Sequence, residues 1–128
     1  MYFIEAEAAA QQNPAQGVKL LNDFMSNHRD PHYKCTKSSK EDVVKEIVFQ
    51  KRVELWGEGQ SFFDIKRLNL PVTRGYAGTL HHTIGRFNTT TRPAWMNFCI
   101  VRSEGNNNTA LVGFENPDPS DVYSSWAE

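Results

Sequence analysis

Between Arg52 and Arg67 the chain reads Arg-Val-Glu-Leu-Trp-Gly-Glu-Gly-Gln-Ser-Phe-Phe-Asp-Ile-Lys-Arg, the densest mixture of acids, bases and glycines in the sequence. Glu54, Glu58 and Asp64 could in principle supply the two carboxylates of a glycoside hydrolase, one protonating the leaving group and one serving as base or nucleophile. Their spacing is not diagnostic, and acids placed beside bases at helix ends are ordinarily solvated or paired. A structural role fits better. Arg52 with Glu54, and Asp64 with Arg67 at helical i, i+3 spacing, can tie helix ends together through charge-assisted hydrogen bonds. Gly57 and Gly59 permit the backbone reversal between the two ends. The block Arg52, Glu54, Glu58, Gly59, Asp64 and Arg67 is thus expected to act as a clasp, with no catalytic residue.

Other chemistry lacks a starting point. His28, His32 and Cys35 have metal-ligand chemistry, but no fourth ligand accompanies them and the spacing fits no standard zinc module, so neither a metal nor a cofactor is expected. His81 and His82 are adjacent, and adjacent side chains generally diverge. No Gly-x-Ser-x-Gly, phosphate-cradling loop or His-Glu-x-x-His occurs, which removes nucleophilic, kinase-like and metalloprotease readings. With 14 Lys and Arg against 15 Asp and Glu, a formal charge of −1 and no basic run, a nucleic-acid partner is not expected. No apolar stretch approaches the roughly 18 residues of a membrane-spanning helix. Cys35 and Cys99, far apart in the sequence, are expected to be buried free thiols, with one disulfide as the alternative.

The elements that must position these residues are mostly helical. Residues 1–12 contain neither Gly nor Pro and are rich in helix formers. They start without a capping residue, which predicts that residue 1 is a cut inside a longer polypeptide. Asn13-Pro14 marks a boundary, and a second helix to about residue 27 carries Val18, Leu20, Leu21, Phe24 and Met25 as an apolar stripe. Ala6, Ala9 and Ala10 offer a neighbour little bulk. The two helices are expected to form a tight antiparallel hairpin similar to one tetratricopeptide unit.

Ser38 and Glu41 suggest a capping box for a third helix reaching about Trp56, with Val43, Val44, Ile47, Val48, Val53 and Leu55 as its apolar positions. Residues 60–67 read as a fourth helix with Phe62, Phe63 and Ile65 turned inward. Beyond Asn69, Gly, Pro, Thr and Asn replace the helical pattern, and an irregular tail is expected with two short strands, at 97–101 and 109–114. Asn116-Pro117-Asp118-Pro119 marks a rigid turn. The expected fold is mainly α: a tetratricopeptide-like hairpin plus two further helices over 1–68, and a loop-rich tail over 69–128, forming one structural unit cut from a longer chain.

The 52–67 block resembles the motif of the SusD/RagB family, in which Arg-x-Glu-Leu leads through Glu-Gly into Phe-x-Asp-Leu-x-Arg. The surrounding order agrees: a Tyr-x-Ile-Glu-Ala-Glu-Ala helix precedes it and an irregular tail with an Asn-Pro turn follows, so the resemblance covers essentially all 128 residues. Gln50-Lys51, Ser61 and Val101 depart from the family's Glu-Arg, Arg and Pro. The resemblance implies a lipid-anchored bacterial outer-membrane protein at the cell surface. Such a protein holds an oligosaccharide or other nutrient and hands it, uncleaved, to a TonB-dependent transporter of the SusC type. Its lipid-bearing cysteine would lie at the N-terminus of the full polypeptide, so neither Cys35 nor Cys99 is the anchor. A helical-repeat module that docks on the transporter is the alternative, and a glycoside hydrolase the remote one.

Sugar capture needs flat apolar faces for C–H groups and polar groups for hydroxyls, and aromatic rings on loops beside Asn, Asp and Arg meet both needs. Arg74, Tyr76, Arg92, Trp95 and Trp126 are the candidates in the tail, with Asn97 in their company. Tyr76, flanked by Gly75 and Gly78, is the better candidate for an exposed ring, whereas Trp95 beside Pro93 suits core packing more than a sugar platform.

Overall fold

The computed structural model describes residues 1–114. It is mainly α-helical and divides into two compact units, Met1–Ser61 and a second beginning at Phe62. The helices are α1 (Tyr2–Gln12), α2 (Pro14–His28), α3 (Lys40–Glu54), α4 (Gln60–Leu68) and α5 (Arg102–Asn107).

In the first unit α1 and α2 form the expected hairpin. Asn13 carries both ends: its backbone N–H donates to Ala9 and its side chain accepts from Ala15 N at 3.1 Å, with Pro14 placed where no N–H is needed. Phe3, Ala6, Glu7 and Ala10 form the buried face of α1, and Gly17, Leu21 and Met25 that of α2. The helices approach most closely at Gly17. A Cβ built there would stand 2.4 Å from the Cβ of Ala10 and 2.8 Å from its Cα, so only glycine fits this crossing.

Val43 and Ile47 of α3 complete the core with Leu21, Met25 and Cys35. The connection from α2 to α3 is anchored by Asn22, whose Oδ1 accepts from Cys35 N at 2.7 Å. Tyr33 donates its hydroxyl to Glu46 at 2.8 Å, and its burial, then this bond, push the phenol pKa upward.

Helix α3 starts one residue later than expected. Ser39, not Ser38, is the cap: its Oγ accepts from Asp42 N at 3.1 Å and donates to the Asp42 carboxylate at 2.7 Å. Tandem serines, each followed three residues later by an acid, offer two equivalent boxes, and local sequence does not separate them. The helix ends at Glu54, short of Trp56, which is exposed.

Helix α4 departs from its expected orientation. Asp64 takes the inward position, Phe63 is 63% exposed, and Phe62 and Ile65 are half-buried. Successive helical residues lie about 100° apart, so Phe62, Phe63 and Asp64 cannot share one face. The helix closes on Asn69 at φ +53, with Leu70 N donating to Ile65 O at 3.0 Å, as a left-handed cap requires.

The two expected strands are absent. Among the described residues extended pairing is limited to one antiparallel bridge, Thr73 with Asn88. Residues 102–107 are helical instead, held by side-chain bonds that leave no apolar periodicity to read: Asn107 Nδ2 donates to Ser103 O and Asn108 Nδ2 to Glu104. The Asn-Pro turn expected at 116–119 lies outside the described residues. Cys35 is buried as expected, but Cys99 is exposed.

The Ala10–Gly17 contact sets the first prediction. Replacing a helical glycine by alanine ordinarily gains about 0.5–1 kcal/mol, and Gly105→Ala in open space should behave that way. Gly17→Ala should instead destabilise by about 1–3 kcal/mol, because the helices must part. Urea melts followed by circular dichroism check it; a stabilised Gly17→Ala variant would contradict the packing described.

Candidate functional site

In the first unit, Glu54 does not pair with Arg52. Two positions apart on a helix the side chains diverge, and Arg52 is exposed. Glu54 receives Arg29 from the end of α2: Nε lies 2.6 Å from both carboxylate oxygens and Nη2 2.6 Å from Oε2. The Arg29 guanidinium also lies 5.6 Å from the ring centroid of Phe24, whose ring in turn packs near Phe3, Tyr2 and His28. Hydrogen bonding to Arg29 holds the Glu54 carboxyl below its ordinary value, and the same bond raises Arg29. Arg29 follows the last apolar position of α2, where periodicity gives no signal of a long-range partner.

Gly57 and Gly59 adopt φ +84 and +74, and a Cβ at either would meet nothing within 4 Å. Both glycines therefore serve the backbone conformation and not close packing. Glu58 is exposed on this bend.

In the second unit Asp64 is almost wholly buried and accepts on Oδ1 from Arg67 Nε at 2.9 Å and Nη2 at 2.8 Å. This i, i+3 fork lies within α4. Glu54 and Asp64 are thus both held by guanidinium groups, which deprives the paired-carboxylate arrangement of two of its three members. The described residues contain no group of three or more His, Cys, Asp or Glu placed to hold a metal; His28 packs against Phe24 and Tyr2.

The loop candidates fall into a defined arrangement around Asn88. Its Oδ1 accepts from Arg74 N at 3.1 Å and Gly75 N at 2.9 Å, and its Nδ2 donates to Gly75 O at 2.8 Å. One side chain thereby does the work of a peptide group in a strand pair. Val72 N donates to Thr89 Oγ1 at 2.9 Å and Thr89 N to Val72 O at 2.9 Å. The pinned segment leads into a turn, Tyr76-Ala77-Gly78-Thr79, closed by Thr79 N to Tyr76 O at 3.1 Å with Gly78 at φ +79. Tyr76 projects from it, 53% exposed.

Arg74 lies with its guanidinium 5.3 Å from the Phe87 ring centroid, and Phe87 meets Trp95 edge-to-face at 5.8 Å. Trp95 is half-buried in this stack. Arg92 is half-buried, and its backbone N–H donates to the Asn69 side chain at 3.4 Å. The structure thus brings Arg74, Phe87 and Trp95 together beside the turn that bears Tyr76; Trp126 lies outside the described residues. Phe87 carries no signal in the sequence, and Asn88 stands out there only as the first residue of a formal Asn-Thr-Thr glycosylation sequon, not as an anchor of the loop.

A family model described as the SusD family matches residues 1–117. No curated protein and no solved structure matches the chain. No helix among the described residues is long and apolar enough to cross a membrane.

The Arg29–Glu54 pair sets a pH prediction. A carboxyl whose pKa is lowered in the folded state adds stability above its unfolded value, about 4.3, and that contribution is lost as pH falls through the lower folded value. Glu54→Gln should therefore lower the melting temperature at about pH 7, and the gap to the parent should narrow toward about pH 3. Thermal melts across that range check it; a gap that stays constant with pH would assign the effect to packing alone.

Proposed function

Since the chain belongs to the SusD family, we propose that it is part of a bacterial cell-surface nutrient receptor that binds oligosaccharide and passes it, uncleaved, to a SusC-type TonB-dependent transporter. The full-length receptor is held to the outer membrane by a lipid on an N-terminal cysteine beyond this segment. The observation that carries the binding part is the exposed Tyr76 ring on a turn pinned by Asn88, next to the Arg74–Phe87–Trp95 stack.

The chemistry supports capture in a direct way. A phenol ring offers an apolar face to the C–H side of a pyranose and a hydroxyl to its rim. Arg74, ordered over Phe87, offers planar donors to sugar oxygens at little further entropic cost. Trp95, edge-to-face with Phe87, extends the aromatic surface. Binding and release of this kind need no general acid, and Glu54 and Asp64 have structural partners instead.

A second reading, a module that docks on the transporter, draws on a different observation. Phe49 and Val53, one turn apart on α3, and Trp56 just beyond its end are all more than half exposed. The two readings are compatible, since capture and docking use different residues.

Calorimetric titration of the full-length protein with oligosaccharide panels tests the proposal. Saturable binding is expected, weakened about tenfold by Tyr76→Ala, a loss of about 1.4 kcal/mol, and unchanged by Phe49→Ala. Transporter binding with no sugar affinity would leave the docking module as the function. Release of sugar from a polysaccharide would restore the hydrolase reading.

A further inference from the structure

The charges of this chain are segregated in a way its near-zero total conceals. Residues 65–103 contain Lys66, Arg67, Arg74, Arg86, Arg92 and Arg102 and not one of the chain's 15 Asp and Glu. His81 and His82 fall in the same acid-free stretch. This stretch includes all the described loop candidates, so the Tyr76 surface carries cations with no carboxylate from the segment that builds it.

The backbone arrangement gathers several of these groups. The Thr73–Asn88 bridge sets residues 72–75 antiparallel to 86–89, which brings the backbone of Arg74 against that of Phe87, with Arg86 next along. Arg86 Nε donates to His81 O at 2.7 Å and so ties the segment bearing His81 and His82 to the same place. Both histidines are exposed. Among the described residues neither Arg74 nor Arg92 forms a salt bridge with a carboxylate, in contrast to Arg29 and Arg67.

An exposed ring two residues from a guanidinium that has no carboxylate partner among the described residues is poorly matched to a neutral sugar alone. Positive charge adds little to binding hydroxyls, but it attracts and orients an anion, and guanidinium pairs with carboxylate or sulfate through parallel N–H donors. Resting on the capture reading above, we infer that the ligand is an acidic oligosaccharide, bearing uronate carboxylates or sulfate esters, with Tyr76 against a sugar face and Arg74 on its anionic groups.

Titration of the full-length protein with a neutral galactan oligomer, an oligogalacturonate and a chondroitin sulfate oligomer of matched length tests this. At least one acidic oligomer should bind about tenfold tighter than the neutral one at about 50 mM salt, and the preference should shrink several-fold at about 500 mM as screening shortens the reach of the charges. Which acidic oligomer leads identifies carboxylate or sulfate. Arg74→Gln should reduce the preference, with folding checked by circular dichroism, while Arg74→Lys, which keeps the charge but loses the parallel donors, should retain only part of it.

Equal binding of neutral and acidic oligomers at both salts would overturn this inference and leave sugar capture standing. Binding of none of them would remove both. Equal affinity for a single-stranded oligonucleotide of the same charge would mark a general polyanion surface and also overturn it.

Discussion

The first unit depends on one steric fact: α1 and α2 meet with the Ala10 methyl pressed where a Gly17 side chain would otherwise be. Close approach lets Phe3, Ala6 and Ala10 share a core with Leu21 and Met25, and Val43 and Ile47 of α3 fill the remaining side. The same packing fixes the end of α2, where Phe24 meets the rings of Tyr2 and Phe3. Arg29 is then in position to reach Glu54 at the end of α3. The ion pair is therefore a consequence of the hairpin geometry and contributes little by itself, since Arg29 remains half exposed to water that screens it.

The second unit is ordered by a different kind of interaction. Its described residues have little regular secondary structure with which to pair their backbone, and buried polar groups must find partners. Side chains supply them: Asn88 bonds both sides of Gly75, Thr89 receives Val72, and Asn69 both closes α4 and receives Arg92. Asparagine recurs because its amide carries donor and acceptor in the geometry of a peptide and tolerates left-handed backbone. A loop fixed in this way can hold an aromatic ring in solvent without losing its orientation, a requirement of a binding surface that must not reorganise for each ligand.

The acids and glycines between Arg52 and Arg67 take different partners and roles. The glycines shape a bend through positive φ, Glu54 is held by a residue far outside the motif, and Asp64 is held within α4. The aromatic and cationic side chains Arg74, Tyr76, Phe87 and Trp95 stand on segments that are irregular in sequence.

What the sequence determined by itself is the helical content: the hairpin, the Asn13-Pro14 boundary, the third helix and the glycine bend, all set by local preferences and by periodicity that repeats each turn. The Asp64–Arg67 fork was also legible, because i, i+3 spacing on a helix fixes proximity. Tertiary structure alone decided which of two serines caps α3, that Asp64 displaces Phe63 from the inner face, and that Arg29 takes Glu54 from Arg52. It also decided that residues 102–107 coil where neighbouring segments had suggested strands. These outcomes turn on contacts between residues distant in sequence, or on single side chains bonding to backbone, and neither leaves a period along the chain.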